Sequence, residues 1–289
     1  MSFRSFEEIL SKCKEQDKPF WRVILEDDME ERLVSEEESF EKMKHLYMSM
    51  KGADIAYDEG LKSTSGLVGG DGARISRAVS EGKTLGGPFI GEVMSKALKM
   101  GESNACMKKI VAAPTGGACG VIPAVLLTYE EQFGAFLQQM IEAMYVAAGV
   151  GQVIAVRAFI SGAAGGCQAE IGSASAMAAG ALTYLNGGDG ESIAHSAAMS
   201  LKNLMGLVCD TVGGLVEIPC VKRNVGGAVI AIASADMAVA GIRSQIPPDE
   251  VIDAMREVGE SLPRTLRETG EGGLAATPTG REIMNRLMK

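Results

Sequence analysis

The chain has 289 residues, with 28 lysines and arginines against 37 aspartates and glutamates, for a net charge of −9. That balance argues against a nucleic-acid or anionic-membrane binder, since both reward a basic face. A content of 46% hydrophobic and 22% charged residues excludes overall disorder, and 36 glycines with 5% aromatics favour broken helices over sheets.

Residues 1–60 predict an acidic, helical N-terminal segment, with 16 Asp and Glu against 9 Lys and Arg. The opening Met1-Ser2-Phe3-Arg4-Ser5 has no apolar h-region, so a cytoplasmic protein without a secretion signal is expected. Two capping boxes, Ser5 to Glu8 and Ser35 to Glu38, mark helix starts. Phe40, Met43, Leu46, Tyr47 and Met50 then recur at helical spacing, as an amphipathic helix packing on a core requires.

After a Gly/Ser-rich stretch from Gly60 to Gly72, Met94, Ala97 and Leu98 predict an apolar helical face ending before Gly101. From Phe133 onward the pattern is apolar nearly all round, in segments 143–148, 153–160, 171–185, 193–207 and 225–240. Such helices belong in the middle of a bundle. The longest uncharged run, Ile171 to Gly188, carries Ser173, Ser175, Thr183 and Asn186, so buried helices are expected and no membrane span. Pro247-Pro248 opens the last long helix. The expected fold is mainly α, one globular domain over residues 1–289. It comprises the acidic segment of residues 1–60, a core over residues 61–276 with buried Ala/Gly/Met-rich helices, and a helical tail over residues 277–289.

Five glycine-rich breaks carry polar or thiol residues: Lys62–Gly72, Ala113–Pro123, Ser161–Glu170, Cys209–Asn224 and Glu271–Thr279. Rigid apolar helices with polar loops at their ends make a scaffold for a site. Gly82-Lys83-Thr84 and Gly70-Asp71-Gly72 lack the remaining glycines of phosphate-binding motifs and read as helix breaks. His45 and His195 are the only histidines, too few to place a Ser-His-Asp triad readily, and zinc spacings are absent. Cys167, Cys209 and Cys220 each sit on a break. Their 41- and 10-residue intervals match no standard ferredoxin pattern, so spacing leaves metal binding, catalysis and plain packing open.

Taken together and in order, Ser63-Thr64-Ser65-Gly66, the 113–123 segment APTGGACGVIP, the 161–170 segment SGAAGGCQAE and the 209–224 segment CDTVGGLVEIPCVKRN resemble the catalytic α chain of iron–sulfur-dependent L-serine dehydratase. The resemblance runs from about residue 60 to 276. It implies a helical lyase that converts L-serine to pyruvate and ammonia with a 4Fe-4S cluster and no pyridoxal phosphate. Cys167, Cys209 and Cys220 correspond to three cluster ligands, which leaves one iron open. As a Lewis acid, that iron would draw off the substrate hydroxyl. Ser63, Thr64, Ser65 and Gly66 correspond to the substrate loop, and Thr115 is expected to assist. Arg223 and Asn224 are expected to bind the substrate carboxylate or shield cluster charge. Cys13, Cys106 and Cys119 receive no role.

The chain departs from single-chain members of that family. Gly272-Gly273-Leu274-Ala275 matches, but Thr277-Pro278-Thr279-Gly280 and a tail without cysteine follow, so no terminal thiol is expected to cap the open iron. Asn203 stands where those members carry histidine, and Thr211 where they carry proline. The family's histidine-bearing loop lies in its other domain, which implies a separate β chain as partner. An L-cysteine desulfidase on the same scaffold, a non-catalytic iron–sulfur sensor or structural subunit, and a helical bundle with inert thiols remain the alternatives.

Overall fold

Buried small residues set the architecture. In the computed structural model, which describes residues 2–288, those residues form thirteen α-helices and no named strand. Met1 and Lys289 lie outside the described residues. Three helices make the acidic N-terminal segment: α1 (Phe6–Gln16), α2 (Phe20–Arg32) and α3 (Glu36–Ile55). The Ser35/Glu38 box forms in full, each side chain meeting the other's backbone amide. At Ser5 only half of it forms. The Ser5 hydroxyl caps Glu8, but the Glu8 carboxylate takes the Arg4 amide instead.

Next come α4 (Asp71–Ser80), α5 (Gly87–Ala105), α6 (Val121–Phe133), α7 (Leu137–Arg157) and the one-turn α8 (Gly162–Gly165). A π-turn, Gln168–Gly172, leads directly into α9 (Ser173–Leu185). Helices α10 (Gly190–Leu204), α11 (Cys220–Val239), α12 (Pro248–Ser261) and α13 (Pro278–Leu287) complete the chain. The tail helix begins at a Thr277 cap that accepts the Gly280 amide.

Helix α9 is the axis of the core, packed on α6, α7, α10 and α11 and buried from Ser173 through Thr183. Its small residues allow the neighbours close. A Cβ at Gly180 would stand 3.0 Å from the Val150 side chain. Two of its hydroxyls are absorbed by backbone carbonyls, Ser175 donating to Gly227 at 2.6 Å and Thr183 to Ala179 at 2.8 Å, and Ser200 of α10 donates to Ser175 at 2.7 Å.

Two expected breaks are not breaks. Helix α5 continues through Gly101, because that glycine is where α11 comes in; a Cβ there would meet Val221 at 3.2 Å. Segments 143–148 and 153–160 do not form two helices, because α7 runs unbroken through Gly149 and Gly151 to Arg157. A Cβ at Gly149 would stand 2.7 Å from Ile24 and 2.8 Å from Phe20, and one at Gly151 would stand 2.8 Å from Met177. Glycine there serves helix approach rather than helix ending. Helix α7 is long and apolar enough to cross a membrane by length and composition, but 67% of its most apolar window is buried against other helices.

Candidate functional site

The loops carrying the thiols meet at one end of the α9–α11 layer. Cys167 immediately precedes the π-turn, Cys220 is the first residue of α11, and Cys209 lies on an extended stretch whose backbone bridges Arg267. All three are buried, at 1%, 4% and 1% exposure for Cys167, Cys220 and Cys209. A helix start is where backbone N–H groups stabilise a thiolate.

Electrostatics show that the thiols share a space. Burial pushes Cys167 up to about 11, while Arg223 and the Ile171 amide pull the other way. Burial likewise pushes Cys220 up to about 12, with Cys167 and Glu170 adding to it. Cys209 is raised furthest, by burial first and then by Cys167 and Cys220. Three mutually repelling buried thiols favour ionisation only beside a cation, so the donor set fits a metal centre. Among the described residues no three His, Cys, Asp or Glu side chains could hold a single metal ion. A cluster of several metal atoms does not require its thiols to converge on one ion.

The surrounding backbone is shaped to these sulfurs. Gly162 faces Cys209 so closely that a Cβ would stand 2.8 Å from its Sγ and 3.1 Å from the Glu170 carboxylate. Gly117 faces the same carboxylate from the opposite loop, at 3.2 Å. Burial raises the Glu170 carboxyl above the ordinary range, against the Thr115 hydroxyl and the Gly162 amide. Thr115 Oγ1 is buried beside it without a well-formed hydrogen bond, and Thr211 Oγ1 is likewise unpartnered.

Arg223 donates to the Val208 carbonyl at 2.7 Å and to Asp210 at 2.8 Å. The other Asp210 oxygen accepts the Leu274 amide at 2.8 Å, which ties the matching Gly272–Ala275 segment to the Cys209 turn. Asn224 is fully engaged. Its Oδ1 accepts the Gly120 amide at 2.8 Å, and its Nδ2 donates to the Gly117 and Cys220 carbonyls at 2.8 and 3.0 Å. It clamps the 113–120 loop onto the start of α11.

The Ser63 and Ser65 hydroxyls both donate to Glu217, at 3.1 Å from Ser63, so the 63–66 loop is tied to the segment that leads into Cys220. Thr64 is exposed, and Gly66 turns the loop at φ 75° with its amide on the Ser63 carbonyl. Glu102 fixes the far end of this loop by accepting the Asp71 and Gly72 amides and the Tyr57 hydroxyl. Sequence reasoning singles out neither Glu170, Glu217 nor Arg267, although the first two stand inside its quoted motifs. Cys119 packs in the core, its thiol on the Met100 carbonyl at 3.7 Å. Cys13 and Cys106 are half-buried, and neither is among the groups that perturb the three thiols. His45 is exposed on α3, and His195 accepts the Ser244 amide.

A helical enzyme scaffold with a buried three-thiol centre at its loop end is the class that fold and site define. A sequence model described as serine dehydratase alpha chain matches residues 15–275, and the chain belongs to that family. Among its relatives, a probable L-serine dehydratase alpha chain of Bacillus subtilis (strain 168) is 47% identical over 99% of this chain and 95% of its own. The L-serine dehydratase alpha chain of Peptoniphilus asaccharolyticus is 38% identical over 98% and 97%. L-serine dehydratase 1 of Escherichia coli (strain K12) is 34% identical over 94% of this chain but 61% of its own length.

Proposed function

We propose that this chain is the catalytic α subunit of an L-serine ammonia-lyase, which dehydrates and deaminates L-serine to pyruvate and ammonia. Its cofactor is a 4Fe-4S cluster rather than pyridoxal phosphate. Cys167, Cys209 and Cys220 hold the cluster, and the observation that carries this reading is their burial around one shared space. When bound, a cluster with one incompletely ligated iron supplies Lewis acidity for expelling a poor leaving group such as hydroxide.

The chain's own residues do the rest. Arg223 stands beside Cys167 and offsets thiolate charge, while its two hydrogen bonds hold the Cys209 turn in place. Asn224 holds Cys220 and the 113–120 loop in register, which sets Thr115 beside Glu170. The loop of Ser63, Thr64, Ser65 and Gly66 receives the substrate, with Glu217 fixing its two serines and Thr64 left free to bond. Walls of apolar helix keep bulk water from the thiols.

The α-proton needs a base; His45 is exposed on α3, and the His195 Nδ1 is already taken by the Ser244 amide. As the family resemblance implies, we assign the proton acceptor to a histidine of a separate β chain, with which this cytoplasmic enzyme works. The longer Escherichia coli relative, of which this chain spans 61%, supports a division of the enzyme into two pieces. The chain is to be loaded anaerobically with iron and sulfide and assayed for pyruvate from L-serine, with and without a β chain. Turnover that needs both supports the reading; a protein that binds no iron, or an inactive loaded complex, refutes it.

A further inference from the structure

Recognition of an amino-acid substrate calls for a cation that can face its carboxylate, since a guanidinium–carboxylate pair gives both strength and orientation. The cations around the site are mostly spent. Arg223 is taken by Val208 and Asp210 and Lys222 by Asp71, while Lys62 is an exposed lysine whose ammonium donates to the Gly69 carbonyl. Arg267 is different. Its Nε is buried without a hydrogen-bond partner, and its Nη1 reaches only the Ala164 carbonyl, at 3.5 Å. No carboxylate among the described residues is paired with it.

Its position is set by the thiol loop. The Cys209 amide donates to the Leu266 carbonyl and the Glu268 amide donates to the Cys209 carbonyl, both at 2.8 Å, so Arg267 is held directly beside Cys209. Ala164, which Nη1 touches, belongs to the same one-turn helix as Gly162, which abuts the Cys209 sulfur. A guanidinium whose Nε donor is buried and unused is costly to keep, and is best explained by a ligand that completes it.

We propose that Arg267 binds the α-carboxylate of the amino-acid substrate and makes the site specific for free amino acids. The assignment rests on the lyase reading above. A free carboxylate supplies two acceptor oxygens to the guanidinium edge, whereas a carboxamide offers one acceptor and turns an N–H toward a donor. Discrimination at a site built for a charged hydrogen bond is large.

The test compares wild type, Arg267→Gln and Arg267→Lys as cluster-loaded α chains with the β chain, on L-serine and L-serinamide. The expected result is a roughly tenfold to hundredfold rise in KM for L-serine in R267Q. The preference for L-serine over L-serinamide should collapse, and R267K should restore some of it. A readout independent of turnover is thermal stabilisation by L-serine, which wild type should show and R267Q should lose, with its visible cluster absorption retained. If R267Q is stabilised by L-serine and prefers it over L-serinamide as wild type does, the assignment is overturned. A loaded wild-type complex that turns over neither compound overturns the lyase reading and the assignment with it.

Discussion

Arg223 and Asp210 form an ion pair at 2.8 Å with side chains only 17% and 5% exposed, and Asp210 uses its second oxygen on the Leu274 amide. One carboxylate thus joins the first residue after Cys209, the helix of Cys220 and a segment more than sixty positions later. Removing one partner of a buried pair leaves the other charge uncompensated, at about 3–5 kcal/mol for a fully buried one. Asp210→Ala is expected to fall near the lower end, because Arg223 keeps the Val208 carbonyl. The melting temperature and iron content of D210A should both drop; unchanged iron content would show that the pair does not hold the Cys209 turn.

Gly162→Ala inserts a methyl group 2.8 Å from the Cys209 sulfur on a short turn with little room to shift. The chain should still fold, since the α9–α11 core is untouched, but the thiol must move. Loss of cluster loading with a near-normal far-ultraviolet circular dichroism spectrum is the expected outcome. Normal loading in G162A would mean that Cys209 need not stay where the structure has it.

Serine in place of Cys167, Cys209 or Cys220, one at a time, should abolish stable iron binding and lyase activity. Cys119→Ala should keep both. Its thiol, pushed up to about 12 by burial, packs in the core, and its truncation removes little beyond a weak bond to Met100. A stability loss of about 1 kcal/mol is expected for such a small deletion. Iron retained in any of the three serine variants would contradict the ligand set.

His195 supplies a pH test unconnected with the site. Burial, then Arg243, hold its imidazole below the ordinary histidine range, and its Nδ1 accepts the Ser244 amide. Protonation would set N–H against N–H. The unfolded chain therefore takes up this proton more readily than the folded one, and the contribution is complete above about pH 6.5 and lost as pH falls through the folded value. Thermal melts at pH 7.5 and 5.5 should show wild type losing more stability on acidification than His195→Gln, whose side chain cannot titrate. Parallel losses would show that His195 protonates freely in the fold.

Much of this is legible in the residues. The apolar runs predict buried helices because few charges interrupt them, and the four ordered motifs mark the loops that the structure brings together. Glycines are harder to read. Gly101 and Gly149 resemble helix ends, but whether a glycine breaks a helix or admits a neighbour depends on what packs there, and Val221 and Ile24 are far away in sequence. The serines of the 63–66 loop correspond by resemblance to a substrate loop, and nothing near them in sequence announces that Glu217, about 150 positions on, holds both. Asn224 reads as a substrate ligand, yet its amide is consumed by three backbone groups from two segments. Arg267 carries no local signal, because what distinguishes it is the bond it does not make.

The bridge between Cys209 and Arg267 also dictates an order of events. Arg267 and Leu274 are synthesised after all three cysteines, so the backbone contacts they give Cys209 and Asp210 cannot exist while the thiols are emerging from the ribosome. On the function proposed above, a cofactor seated against the finished Cys209 turn is inserted only after translation has passed both residues.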